Sequence, residues 1–370
     1  MTTRGPSTAH AAVSRIHTSH LQNAGIRPPR PLCAVIASSR RFYSPPATPP
    51  EDLDRPEKSA LVAIKGLRPL DPVNPPRSTR PPDLKLPKRG DENVAMYYFR
   101  VGRAYGGFYW VGIKAVWFNF QATRLLKERI QKDAGEKWLG VVKRSEFQLL
   151  ERNSHDIGKL PLFGVLVALL GEWLPLLVPF MPGVVPGTCC FPKQLEGMRK
   201  KAEERRRRSF RQGISEPSKE QISEIPEGAE TGDWPMTGKD YAALKLKGLR
   251  DDQLFHLSCT LDLHNRMWDR IQLPPPSWLL RRGLSKRLSY LTKDDKLLSR
   301  DGGVPKLSSD ETIIACEQRG LDVLGKREEI LRNDLTWWLA RQNDDRGKGD
   351  AIFTMLFRRP NAWPPQITKK

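Results

Sequence analysis

No acidic residue precedes Glu51. The first 50 residues carry Arg4, Arg15, Arg27, Arg30, Arg40 and Arg41 among many Ser, Thr and Ala. They also lack an apolar run long enough for a secretory signal, so the composition is that of an organelle transit peptide. Cationic segments of this kind are drawn inward by a membrane potential. Arg40-Arg41-Phe42-Tyr43-Ser44 supplies a mitochondrial processing site, with cleavage expected after Tyr43. Cysteine is scarce: Cys33, Cys189, Cys190, Cys259 and Cys316 are odd in number and irregular in spacing, and no Cys-x-x-Cys occurs. That pattern does not suggest a disulfide framework, and packing or membrane-edge thiols are expected. There is no Gly-rich phosphate loop, no His-Glu-x-x-His and no Asp-x-Asp-x-Asp-Gly calcium loop. His155, His256 and His264 are scattered. An enzyme is therefore not expected, nor a metal or other cofactor.

What is present is basic. The formal charge of +20 points to an anionic partner, nucleic acid or lipid. The one long apolar run is Leu160 to Val185, with Glu172 as its single ionisable side chain. A membrane-spanning helix needs roughly 20 mostly apolar residues, so 160–185 is expected to cross a bilayer once. Pro161, Pro175, Pro179 and Pro182 lie within it and Pro186 just after, and proline removes a helix hydrogen bond, so the span is expected to be kinked. A charge within hydrocarbon is costly, which makes Glu172 a candidate proton carrier or cation ligand, with Asp156 a weaker one at the entrance. Nine cations follow the run between Lys193 and Arg211, against Lys143, Arg144, Arg152 and Lys159 before it. The positive-inside tendency then puts the carboxyl-terminal side in the mitochondrial matrix.

Either side of the run the pattern is helical. Twelve prolines between Pro45 and Pro87 predict an extended, disordered linker. Met96 to Lys132 is free of proline, with Tyr97, Val101, Tyr105, Phe108 and Gly112 at helical spacing, and predicts an amphipathic helix at the membrane surface or packed in a bundle. Arg144-Ser145-Glu146 reads as a helix start, and so does Ser308-Ser309-Asp310-Glu311. Ile313, Ile314, Cys316, Leu321, Leu331, Leu335, Trp338 and Leu339 are expected in a core. Two basic groups are candidate ribosome or RNA contacts: Arg205, Arg206, Arg207 and Arg208 after the span, and Arg281, Arg282, Lys286 and Arg287 on a helix face.

Several stretches resemble the LETM family, the leucine zipper/EF-hand-containing transmembrane proteins of the mitochondrial inner membrane. They are Tyr97-Tyr98, Gly102, Lys114 and Asn119; Arg144-Ser145-Glu146, Arg152, Asp156 and Lys159-Leu160; and Glu172-Trp173-Leu174-Pro175. The most specific are Leu280 to Leu288, Asp294-Asp295-Lys296-Leu297, Gly303-Val304, Arg319-Gly320 and Trp338-Leu339. The resemblance implies a short all-α member that includes the family's ribosome-binding domain. The expected order is a transit peptide over 1–43, a Pro-rich disordered linker over 44–92 and an amphipathic pre-membrane segment over 93–159. The single span over 160–185, a basic flank and linker over 186–243, the helical domain over 244–341 and a tail over 342–370 complete it. The implied function is mitochondrial ribosome binding in support of membrane-protein biogenesis and cation/proton homeostasis. The alternative is a subunit of a potassium/proton or calcium/proton exchanger. Expected partners are the mitochondrial ribosome, inner-membrane lipids, and homo-oligomers or membrane-insertion machinery.

Overall fold

The computed structural model describes residues 55–90, 93–133, 138–170, 183–218, 221, 246–344 and 350–363. Every regular element among them is helical. The transit segment, Glu172 and the middle of the apolar run lie outside the described residues. Among the described residues no helix is long and apolar enough to cross a membrane.

The proline-free stretch forms one helix, α2 (Val94–Asp133), which follows a short α1 (Ser59–Ile64). A single turn, α3 (Trp138–Val141), leads to α4 (Arg144–Leu170). Glu146 starts α4 by accepting from the Lys143 amide at 3.0 Å, which satisfies a donor that has no partner within the helix. Pro161 lies inside α4. Leu126 on α2 shares a cluster with Leu149 on α4, and Tyr109 on α2 shares one with Phe163 on α4. The two helices therefore run antiparallel. The contact stripe on α2 is Phe108, Gly112, Ala115, Asn119, Ala122 and Leu126, at intervals of three and four. Gly112 is required there: a Cβ would stand 2.8 Å from both Cys189 Sγ and the Thr188 carbonyl.

The carboxyl-terminal domain is built round α8 (Ser277–Asp301), which buries Leu280, Leu284, Leu288, Leu291 and Leu298. Each buried leucine contributes about 1.5–3 kcal/mol relative to exposure. Around it stand α5 (Pro192–Arg211), α6 (Asp251–Thr260), α7 (Arg266–Arg270), α9 (Ser309–Gln318), α10 (Glu328–Asp344) and α11 (Asp350–Phe357). Ser308 caps α9, its hydroxyl accepting from the Glu311 amide at 3.4 Å. Gly320 ends α9 at φ +74°, where a Cβ would meet the Thr260 carbonyl at 2.9 Å.

Two expectations change. The Pro-rich stretch, read as a disordered linker, is a strap from residue 55 to 90, with Val73, Pro75 and Pro76 buried. Its backbone donors are met locally: Asp71 accepts from the Val73 and Asn74 amides at 2.8 and 3.1 Å. Asn74 then donates to the Lys306 carbonyl and accepts from the Ser308 amide, both at 2.8 Å. Proline density argued against a long helix or a ladder, but not against the short α1 or a packed turn. The stretch after 341 also joins the core: Ile352, Phe353, Met355, Leu356, Phe357 and Trp363 belong to the same cluster as α8.

Candidate functional site

At the junction of α4, α8 and α9 lies a closed ionic frame. The Arg144 guanidinium is fully buried; Nε donates to Asp294 Oδ1 at 2.8 Å and Nη1 to the Val73 carbonyl at 3.0 Å. Gln148 Nε2 adds a bond of 2.7 Å to the same Asp294 oxygen. Arg319 donates from Nη2 to Asp294 Oδ2 at 2.8 Å and from Nε to Asp295 Oδ1 at 2.9 Å. Trp338 Nε1 donates to Asp295 Oδ2 at 2.9 Å. Burial alone would raise Asp294, but Arg144 and Arg319 outweigh it and hold the carboxyl well below the usual carboxylate range. A second buried tie follows one turn on, where Arg152 grips Glu311 through two bonds of 2.9 and 2.6 Å. Strap, α4 and the carboxyl-terminal domain are thereby one ionic unit.

Of the run Arg205 to Arg208 on α5, Arg205 and Arg206 face inward as well. Arg205 donates to Asp262 at 2.7 Å, to the His264 carbonyl at 3.0 Å and to Asp269. Arg206 donates to the Thr260 carbonyl at 3.0 Å and to Glu203 at 2.5 Å. Arg207 bridges Glu203 at 2.9 Å and Asp322 at 3.2 Å, and Arg199 pairs with Glu317. Arg208 is exposed. Of the α8 group, Arg281 staples the carbonyls of Leu246, Lys247 and Leu249, and Arg287 lies 5.8 Å from the Tyr290 ring centre. Arg282 and Lys286 are exposed.

Residues 236–351 match the family model described as LETM1-like, RBD. The chain's carboxyl-terminal domain is LETM1-like. No curated protein and no solved structure matches the chain. The LETM1-like domain takes in α6 to α10 and the start of α11, yet its frame is completed by Arg144, Gln148 and Val73 from outside the matched span. The stretches that carry the resemblance are largely this frame. Arg144, Arg152, Asp294, Asp295, Arg319 and Trp338 hold helices together rather than offering a reactive surface.

Other sites expected from the sequence separate. Asp156 is buried, and its Oδ1 accepts from the Gly187 amide at 2.7 Å, anchoring the turn at Gly187–Cys189. It acts there as a cap for backbone, and Glu172 lies outside the described residues. Cys189, Cys190, Cys259 and Cys316 are free and buried, and burial pushes the Cys316 thiol up to about 12. One arrangement was missed. Ser258 Oγ lies 2.8 Å from His264 Nδ1, and His264 Nε2 lies 3.1 Å from Asp269 Oδ1. The three are in the order of a hydrolase relay, but the hydroxyl-bearing residue is 1% exposed. The same Asp269 receives Arg205, so the chain of bonds seats α5. No signal in the sequence separates this from packing, because the serine precedes α7 by a tight turn that only the fold defines.

Proposed function

We propose that the protein is a mitochondrial inner-membrane factor that docks ribosomes through its LETM1-like domain. It thereby supports membrane-protein biogenesis and, through the proteins inserted, cation/proton homeostasis. The match over 236–351 carries the reading. Lys159 Nζ donates to the Val185 carbonyl at 3.1 Å, and the ionic frame bonds α4 to the carboxyl-terminal domain. The apolar run of 160–185 therefore dips into the bilayer and returns on that same side instead of crossing once as expected. Two features support membrane attachment through this run with the domain on the matrix side. The last described turns of α4 expose Leu160, Leu162, Val165 and Leu169 as the chain enters the apolar run. At the same end of the hairpin α2 exposes Met96, Phe99, Trp110, Ile113 and Trp117. On a helix these residues lie opposite the stripe facing α4. Aromatic and aliphatic side chains with nearby Arg100, Arg103 and Lys114 suit a bilayer boundary. The buried ionic frame would pass the position of the apolar run rigidly to the domain.

The test is carbonate extraction of mitochondrial membranes, followed by ribosome co-sedimentation of the detergent-solubilised full chain at graded salt. The protein should stay in the carbonate pellet and sediment with ribosomes at low salt, less so at high salt. Release by carbonate, or failure to sediment at any salt, overturns the proposal. An exchanger role would rest on Glu172; unchanged potassium/proton flux in vesicles carrying Glu172→Gln would exclude it.

A further inference from the structure

The LETM1-like domain is nearly neutral, with 16 Lys/Arg against 14 Asp/Glu over 248–341, yet no acid occurs between Asp269 and Asp294. Within that interval Arg270, Arg282 and Lys286 are exposed. Among them the chain is apolar and equally exposed: Ile271 at 54%, Leu273 at 58% and Trp278 at 66%, with Met267 beside them at 64%. This is a built knuckle. Asn265 caps α7 by accepting from the Met267 amide at 3.0 Å, and the Ile271 amide donates to the Met267 carbonyl at 3.0 Å. Gln272 turns the chain at φ +55°, the Leu273 amide donates to the Trp268 carbonyl at 3.2 Å, and three prolines lead into α8. Spacing of four residues puts Trp278, Arg282 and Lys286 along one flank of α8, about 6 Å apart at each step.

The knuckle's height in the molecule says what it meets. Arg144 on α4 bonds Asp294 on α8, and Gln148 Nε2 donates to the Tyr290 hydroxyl at 2.7 Å. Each step forward along α4 is matched by a step back along α8. Continued at the same register, position 160 on α4 would be level with Trp278, which puts the start of α8 beside the mouth of the apolar run. A second link agrees. Arg266 on α7 donates to the Met198 carbonyl at 3.3 Å, and Met198 packs on the cluster of Phe163, Val185, Cys189 and Cys190, where the chain returns from that run.

We propose that the knuckle seats the LETM1-like domain on the bilayer. Met267, Ile271, Leu273 and Trp278 enter the headgroup boundary, and Arg270, Arg282 and Lys286 meet anionic lipid phosphates. The proposal rests on the membrane reading above, and it assigns Arg282 and Lys286 to lipid rather than to a ribosome. Exposed aliphatic side chains favour this occupant: an RNA strand would use the indole and the cations but leaves Ile271 and Leu273 in water.

The test uses the full chain in nanodiscs of phosphatidylcholine with and without cardiolipin. An environment-sensitive dye is attached at Leu273→Cys in a Cys33→Ser background, since the other cysteines are buried. Nitroxide lipids should quench this dye at least about twofold more than one at Glu329→Cys, at the far end of the domain. Quenching should be greater with cardiolipin. Arg282→Ala with Lys286→Ala should remove the cardiolipin increment, and Ile271→Asp with Trp278→Asp should abolish quenching while the chain stays in the disc. Equal quenching at both positions, or protection of the Leu273→Cys dye by RNA or ribosomes but not by lipid, overturns the proposal. Carbonate release of the protein would instead overturn the membrane reading itself.

Discussion

Two arginine-rich stretches, similar on paper, have opposite fates. In α5, Arg205 and Arg206 lie at 7% and 5% exposure, each held by a carboxylate and a backbone carbonyl. At the start of α8, Arg282 and Lys286 face water. The difference does not lie in the cations. Acids at Asp262, Asp269, Glu317 and Asp322 come from neighbouring elements to meet α5, while no acid occurs between Asp269 and Asp294 to meet α8. A run of like charge is a free anion site only where the surrounding fold withholds the counter-charge.

The comparison is tested hardest at the frame behind both stretches. Replacing Arg144 or Arg319 with Met strands a buried carboxylate, and thermal unfolding should show a loss of about 3–5 kcal/mol. A loss near zero would mean that Asp294 finds other partners. Next comes the seat of α5. His256 lies between Phe210 on α5 and Phe357 on α11, with Nδ1 2.7 Å from Ser209 Oγ. Burial, reinforced by Arg359, pushes its imidazole down from 6.5 to about 4. The unfolded chain therefore takes up this proton from about pH 6.5 and the folded one only near pH 4. Stability supplied by neutral His256 is complete above pH 6.5 and falls as pH drops through that window, by about 3 kcal/mol. Chemical denaturation of wild type and His256→Phe between pH 7 and pH 4 should show a steeper acid loss in wild type; parallel curves would refute the assignment.

Arg206→Ala should cost about 2 kcal/mol, through the Thr260 carbonyl and the Glu203 carboxylate it leaves short of a donor. Arg282→Ala with Lys286→Ala should cost less than about 0.5 kcal/mol, as surface changes do. Urea midpoints measured side by side would sharpen the contrast, and equal costs would dissolve it.

Helix positions were readable because they depend on neighbours in sequence. The absence of proline over Met96–Lys132 marked α2, and the Ser308 cap with Asp310 and Glu311 marked α9. Cys316, Leu321, Leu331, Leu335 and Trp338 are buried as their spacing required. The buried charges were not readable as such. Asp294-Asp295 and Arg319 look like surface residues until partners 150 and 24 positions away are in place. Val73 looked like linker because its neighbours are prolines, and its burial is decided by a core that forms more than 170 residues later.

The sequence by itself determined that the chain is helical, basic and organised about one apolar run, since local periodicity, charge count and hydropathy need no tertiary contact. Only the tertiary structure decided which cations face water. Pairing a guanidinium requires an acid brought close in space, and that juxtaposition, between α5 and the turn after α6 or between α4 and α8, is a property of packing and not of spacing along the chain.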